Sequence, residues 1–283
     1  VTDIAIDQKL QEQYDQLTPR ERLLADFILD HPQDLALFNT AELARMCGVS
    51  KATVSRLFKR LGFSSFREGR AMARRLRQQG VPVAAAGTSP VAFDQHLQQE
   101  QLNLQQLFQT LNPAQVDTLV SALGQARRIL IIGFRNSYPV ALHLRQQLVQ
   151  VRADVKLAPQ PGQSIGEELV DLGAEDLVVL VGFRRRPRGF DALLSQLQRA
   201  AVPVALIADG ALRERATLAD WFLECPIDSR SAFDSYAAPM CLVTLLVNRL
   251  LHQSLESGRE RISRISHQYA ALDELSLAGT HSD

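Results

Sequence analysis

The chain of 283 residues has only three cysteines, Cys47, Cys225 and Cys241, widely spaced and odd in number. That count gives neither a metal box nor a disulfide framework, and it suits a reducing cytoplasm. No run of 18 or more apolar residues occurs, so no membrane span is expected. The first residues, VTDIAIDQKL, lack both a basic leader and an apolar core, so they do not read as a secretion signal. Neither a full GxGxxG nor a Walker loop is present, which removes the usual support for dinucleotide or nucleoside triphosphate binding. No metal, cofactor or catalytic residue is expected. The chain also lacks net charge, with 31 basic and 31 acidic residues.

What is present is unevenly placed. Between Arg45 and Arg77 ten basic residues face one acid, Glu68. Such local asymmetry points to a polyanion, although a solvated helical face has the same composition. Hydrophobic residues make up 46% of the chain, enough for a real core, and the length suggests two domains.

The N-terminal third reads as short helices. Thr18-Pro19-Arg20-Glu21 is a capping box with proline at the first helical position. Leu23, Leu24, Phe27 and Ile28 follow as one stripe, and His31-Pro32 stops that helix. Thr40 is expected to cap a helix whose inner face is Leu43, Ala44 and Cys47. Gly48 supplies a turn, and Ser50 caps a second helix with Val54, Leu57, Phe58 and Leu61 inward, ended by Gly62.

Two short helices around a glycine turn form a helix-turn-helix pattern. Its second helix is expected to expose Lys51, Thr53, Ser55, Arg56, Lys59 and Arg60. Residues at the start of such a helix meet base edges: arginine grips guanine, and a threonine methyl meets thymine. Lys59 and Arg60, a turn later, suit phosphate, which positions without specifying. Together with Ser50 these are the candidate DNA-binding residues. A plain helical bundle is the alternative, but turn, caps, inner face and basic outer face agree. Ser65-Phe66-Arg67-Glu68 then opens a further, arginine-rich helix as a second capping box.

Gln78 to Phe93 is small, proline-bearing and uncharged, as a domain boundary would be. A glutamine-rich helix follows, with Leu97, Leu104, Leu107, Phe108 and Leu111 on one face. Asn112-Pro113 restarts a helix with Val116, Leu119, Val120 and Leu123 inward. The expected division is 1–80 reading domain, 81–112 linker and connecting helix, 113–255 effector-binding and dimerisation domain, and 256–283 tail.

From Arg128 strands alternate with helices: RILIIGF, ADVKLA, DLVVLVGF, VPVALIAD and DWFLECP are the strands. Continuous apolar strands between helices imply a parallel sheet covered on both faces. The fold class is therefore α/β overall, an all-α N-terminal bundle joined to a doubly wound parallel sheet. Two strand ends, Gly133-Phe134-Arg135-Asn136-Ser137 and Gly182-Phe183-Arg184-Arg185-Arg186, each combine a glycine, a polar loop and a helix start. That combination suits an anion. In the second loop Arg184, Arg185, Arg186 and Arg188 crowd together around Pro187, and they repel one another unless something negative lies among them. The segment from Pro239 to Leu251 is apolar around most of its circumference, so its helix lies in the core or at a subunit interface.

The segments LTPRERLLADFILDHP and TAELARMCGVSKATVSRLFKRLGFSSF, with the RILIIGFRNS and DLVVLVGF strands, resemble the RpiR family of bacterial transcription regulators. The resemblance spans most of the chain, and GVSKATVSRLFKRLGF is its most specific part. It implies a helix-turn-helix domain joined to a sugar isomerase (SIS) domain that senses a phosphosugar and assembles into dimers or tetramers. Ser137 matches the family's first phosphate loop. The second loop departs: arginines stand where the family carries Ser, Thr and Gly.

The effector-binding candidates are thus Arg135, Asn136, Ser137, Arg184, Arg185 and Arg186, for a small anion that is a phosphosugar or carries a carboxylate. The expected partners are double-stranded operator DNA, that effector, and a homodimer or homotetramer mate. Two rivals remain. One is a sugar-phosphate isomerase with an added DNA domain, for which Glu167 and Glu168 in a loop, His143 and His252 are the available groups. The other is a DNA-binding dimer that takes no ligand.

Overall fold

In the computed structural model the described residues are 6–30, 35, 38–79, 92–230 and 233–275. The chain divides into two compact units, Val1–His96 with Ser229–Asp234, and Leu97–Asp228 with Ser235–Asp283.

The first unit holds helices α1 (Ile6–Gln13), α2 (Pro19–Asp30), α3 (Thr40–Met46), α4 (Lys51–Arg60) and α5 (Phe66–Gln79). The capping box at Thr18 forms: its backbone N–H and hydroxyl both donate to the Glu21 carboxylate, at 3.0 and 2.8 Å. His31 and Pro32 lie outside the described residues. The core comprises Leu10, Leu24, Ile28, Leu43, Val54, Leu57 and Phe58, all essentially inaccessible to solvent. Phe58 stands edge-on to Phe66 at 4.9 Å between ring centroids.

The second unit opens with α6 (Phe93–Thr110, its first turn falling in the first unit) and α7 (Pro113–Gln125). The sheet follows: β1 (Ile129–Gly133), α8 (Tyr138–Val151), β2 (Val155–Ala158), α9 (Ile165–Leu169), β3 (Leu177–Gly182), α10 (Phe190–Arg199), β4 (Val204–Ala208) and β5 (Trp221–Glu224). Helices α11 (Ala237–Gln253) and α12 (Leu255–Leu272) close the described chain. All pairs are parallel, in the order β2-β1-β3-β4-β5. β1 and β3 are buried at every position, as a sheet covered on both faces requires. One apolar cluster, from α7, α8 and α11, covers one face, and a second, around α10, covers the other.

Several expectations change here. Asn39, not Thr40, caps α3: its side chain accepts from the N–H groups of Ala41 and Glu42, and Glu42 returns to the Asn39 N–H at 2.8 Å. The box at Ser65 forms only in half, because the Glu68 carboxylate bonds Ser64 instead of the Ser65 N–H. On α6, Leu107 is buried as expected, but Leu97 and Phe108 are exposed, and Asn103 is the polar residue that turns inward. The apolar α11 packs within its own chain, against α7 and α8, so core packing already accounts for much of its greasy surface. The segment expected as a tail carries α12, which is fastened to α8 by a bond from Arg261 Nε to the Val149 carbonyl at 2.8 Å.

Candidate functional site

In the first unit, Gly48 follows α3 at φ +62°, a conformation glycine adopts without strain. The chain then folds back, with the Val49 N–H bonded to the Ala44 carbonyl at 2.9 Å. Ser50 caps α4 by accepting from the Thr53 N–H at 3.1 Å. At the other end Gly62 (φ +86°) completes the stop, and Lys9 Nζ donates to the Leu61 carbonyl at 3.1 Å while lying over the Phe63 ring. A cation at a helix C-terminus complements the unpaired carbonyls there. Sequence reading did not find Lys9.

The outer face of α4 presents Ser50, Lys51, Arg56, Lys59 and Arg60 to solvent, and Ser55 is half-buried. Thr53 departs from expectation. Only 2% of it is exposed, because its hydroxyl turns back to the capping Ser50 at 2.9 Å. Arg56 leans along its own helix toward the Ala52 carbonyl and the Thr53 hydroxyl. Arg60 has structural work: Nη1 donates to the Gln16 carbonyl at 2.7 Å, and Nη2 lies 3.7 Å from Glu21. Burial of Glu21 opposes its charge, but the Thr18 hydrogen bonds and Arg60 outweigh it and hold the carboxyl below its ordinary value. Cys47 is half-buried, and burial pushes its thiol up, as for an unreactive packing residue.

In the second unit the order 2-1-3-4-5 places a topological switch between β1 and β3, where the connections leave in opposite directions, the place at which open α/β sheets take ligands. Both candidate loops sit there. Gly133 ends β1 so tightly against α8 that an added Cβ would meet the Ala141 Cβ at 2.6 Å. A 3₁₀ turn over Arg135–Ser137 follows, with Arg135 at φ +53°. Arg135 and Asn136 are exposed, while Ser137 is buried and its Oγ accepts from the Phe183 N–H at 3.0 Å. The two loops are thereby tied together.

The arginine loop is shaped, not floppy. Arg185 takes φ +64°, and the Phe190 N–H bonds the Pro187 carbonyl at 3.0 Å. Arg184 Nη2 meets Asp228 Oδ1 at 2.7 Å. Arg186 Nη1 reaches both the Gly182 carbonyl and Asp209 Oδ2, each at 2.9 Å. Asp209 also caps the 3₁₀ run Gly210–Leu218 by accepting from the Ala211 N–H. Part of the negative charge that the loop calls for is therefore supplied by Asp228 and Asp209. Both lie at or beyond neighbouring strand ends, and the sequence did not single them out. The parallel order of β3 and β4 is the signal that would have found Asp209.

The groups of the isomerase alternative are spread over three helices. Glu167 and Glu168 belong to the short helix α9 instead of a loop, and His143 and His252 lie on α8 and α11. Glu168 instead lines a cavity of about 210 Å³ beside the edge strand β2, with Arg145, Lys156, Gln160 and Gln163. None of the expected effector residues lines that cavity. Among the described residues no group of three His, Cys, Asp or Glu could hold a metal.

A helix-turn-helix joined in one chain to a doubly wound parallel sheet defines a class: a helix-turn-helix protein with an α/β domain. The particular family follows from residues 4–77, which match the helix-turn-helix domain of the rpiR family, and residues 122–249, which match the SIS domain; the chain belongs to the RpiR family of transcription regulators. It is 27% identical over 192 residues to the HTH-type transcriptional regulator HexR of Pseudomonas aeruginosa, a match covering 64% of this chain and 65% of that one. Two solved structures share the fold. The Vibrio vulnificus NanR protein complexed with ManNAc-6P superposes with a TM-score of 0.59 at 20% identity, over 94% of this chain and 98% of that one. The sugar isomerase domain of the RpiR transcription factor from Sphaerobacter thermophilus gives 0.58 at 21% identity, over 62% and 97%.

Proposed function

We propose that the protein binds operator DNA through α4 and regulates transcription in response to a small anionic metabolite held in the crevice between β1 and β3. The observation that carries this reading is the arginine loop at the switch point. There Arg184, Arg185 and Arg186 follow the end of β3, and Arg135, Asn136 and the buried Ser137 follow the end of the adjacent β1. Guanidinium forks bind phosphate or carboxylate bidentately. The relative NanR was solved with a phosphosugar, which supports a phosphosugar as the first class to try. Ser50, Lys51, Ser55, Arg56 and Lys59 form the DNA face; Thr53 and Arg60 serve to position it. The protein acts as a homodimer or homotetramer, so that paired heads meet a two-fold operator. It is not an enzyme. It works in the cytoplasm, in keeping with the absence, among the described residues, of any helix long and apolar enough to cross a membrane.

The test has two stages. Duplexes are selected from a random pool by the full-length protein, and the winning site is titrated by fluorescence anisotropy with and without a panel of phosphosugars and sugar acids. A specific site whose affinity changes with one class of anion supports the reading. No sequence preference overturns the regulator, and no anion response overturns the sensor.

A further inference from the structure

The effector crevice has a resident tenant on each of two arginines, and the two are held differently. Asp209 is 9% exposed and doubly committed, to Arg186 and to the cap at Ala211, while Arg186 is also held by the Gly182 carbonyl. Asp228 is 32% exposed at its side chain, and its carboxylate meets Arg184. Asp228 is therefore the one of the two that a solvent-borne anion reaches more readily.

Asp228 has a second attachment, through its backbone. Its carbonyl accepts from Asn103 Nδ2 at 2.7 Å. Asn103 lies on α6 and is only 1% exposed. Its other side-chain atom accepts from Gln99 Nε2 at 3.1 Å, and one residue along, Glu100 accepts from the Ser235 hydroxyl at 2.7 Å. Thus α6 is pinned by polar side chains on one face, and one of those pins is the residue that occupies Arg184. In chain order α6 follows the linker from the reading helices.

We propose that Asp228 is a specificity and switching residue of the effector site. It is an internal carboxylate that an oxyanion effector must displace from Arg184, and its displacement is reported to α6 through Asn103. The inference rests on the crevice being the effector site. A phosphomonoester dianion competes well for Arg184 because it carries more charge and more acceptor oxygens than a carboxylate. Once it is bound, like charge drives the Asp228 side chain away, and its carbonyl moves with it. The buried Asn103 amide would then lose its acceptor, and a buried donor left unsatisfied is costly, so α6 shifts or loosens to restore a partner. Neutral sugars lack the charge to start this sequence.

Hydrogen exchange read by mass spectrometry on the full-length protein tests it, with inorganic phosphate as the probe and calorimetry to measure binding. In Arg184→Ala, without phosphate, amides of α6 around residues 99–104 should exchange faster by up to about tenfold, the worth of one hydrogen bond. Arg186→Ala, which alters the same loop on the Asp209 side, should leave α6 at the wild-type rate. Phosphate should speed α6 exchange in the wild type and add nothing in Arg184→Ala. Arg184→Lys serves in its place if the alanine variant does not fold. Unchanged α6 exchange in the Arg184 variant overturns the proposal, as does an equal rise in both variants. Phosphate that binds the wild type and the Arg184 variant alike overturns the crevice as the site, while a raised α6 rate would still uphold the link from Arg184 to α6.

Discussion

The hydroxyl of Ser137, beyond the end of β1, accepts a hydrogen bond from the backbone N–H of Phe183, beyond the end of β3, at 3.0 Å. Both residues are buried, at 3% and 1% exposure, so no bulk water can replace the bond. It fixes the spacing of the two loops across the switch point. Ser137→Ala should therefore cost about 1–3 kcal/mol of stability, the usual penalty for a buried donor left unpaired. Urea unfolding of the full chain measures this, and a midpoint equal to the wild type would show that the bond is dispensable.

A second prediction concerns the glycine before the arginine loop. A Cβ on Gly182 would run into the Phe190 ring, which is itself packed in the core. Gly182→Ala should lose about 1–3 kcal/mol through overpacking. Phe190→Leu removes the obstructing ring, so the double variant should be more stable than the two single losses added together. Strict additivity in thermal melts would contradict the contact.

On the reading helix, exposed and fastened arginines should separate cleanly. Arg56→Ala should weaken the selected operator by about 1–3 kcal/mol at one base position if its guanidinium grips a base. Lys59→Ala should weaken all sequences alike and lower the salt dependence of binding. Arg60→Ala should instead lower stability by about 0.5–1.5 kcal/mol, since it loses the bond to the Gln16 carbonyl. Anisotropy and chemical melts on the same three variants decide it; operator affinity untouched in both Arg56→Ala and Lys59→Ala would remove α4 as the reader.

Acid should find Asp176 resistant. Its carboxylate takes two bonds from Arg127, at 3.0 and 2.7 Å, and one from the Gly173 N–H, with Arg128 at 3.3 Å. The Arg127 bonds, helped by Gly173 and Arg128, hold it below the ordinary carboxylate value despite burial. The unfolded chain therefore takes up this proton first as pH falls. The resulting stability is fully present above about pH 4, the unperturbed carboxylate range, and is lost as pH drops through the lower native value. Asp176→Asn should be less stable at neutral pH and should show a shallower acid limb in melting temperature against pH. An identical acid limb in wild type and variant would refute the assignment.

Much of this architecture is local and so could be read from the chain. Ser50, Gly48 and Gly62 act on neighbours within a few residues, and the five apolar runs become five strands. What escaped depends on distance or on a choice between adjacent residues. Asn39 and Thr40 can both cap, and Asn39 wins because Glu42 lies three residues on and completes its box. Thr53 sits at the edge of the α4 face, where a bond to its own cap turns it inward. Arg184 and Arg186 find their carboxylates 44 and 23 residues away, a pairing set by strand order. Asn103 hides among leucines on α6 because a carbonyl 125 residues later needs a donor.

A carboxylate tethered beside Arg184 also sets a threshold. An internal competitor placed by the fold acts at an effective concentration set by geometry, whatever the protein's own abundance. An external anion must exceed that before the exchange tips. Under the proposed switch, such a gate would ignore the steady background of weak cellular anions and answer to a metabolite that accumulates. Asp228→Asn should then lower the dose needed for half-response, so that the setting of the gate lies in one side chain and can be retuned without touching either the reading helix or the arginines.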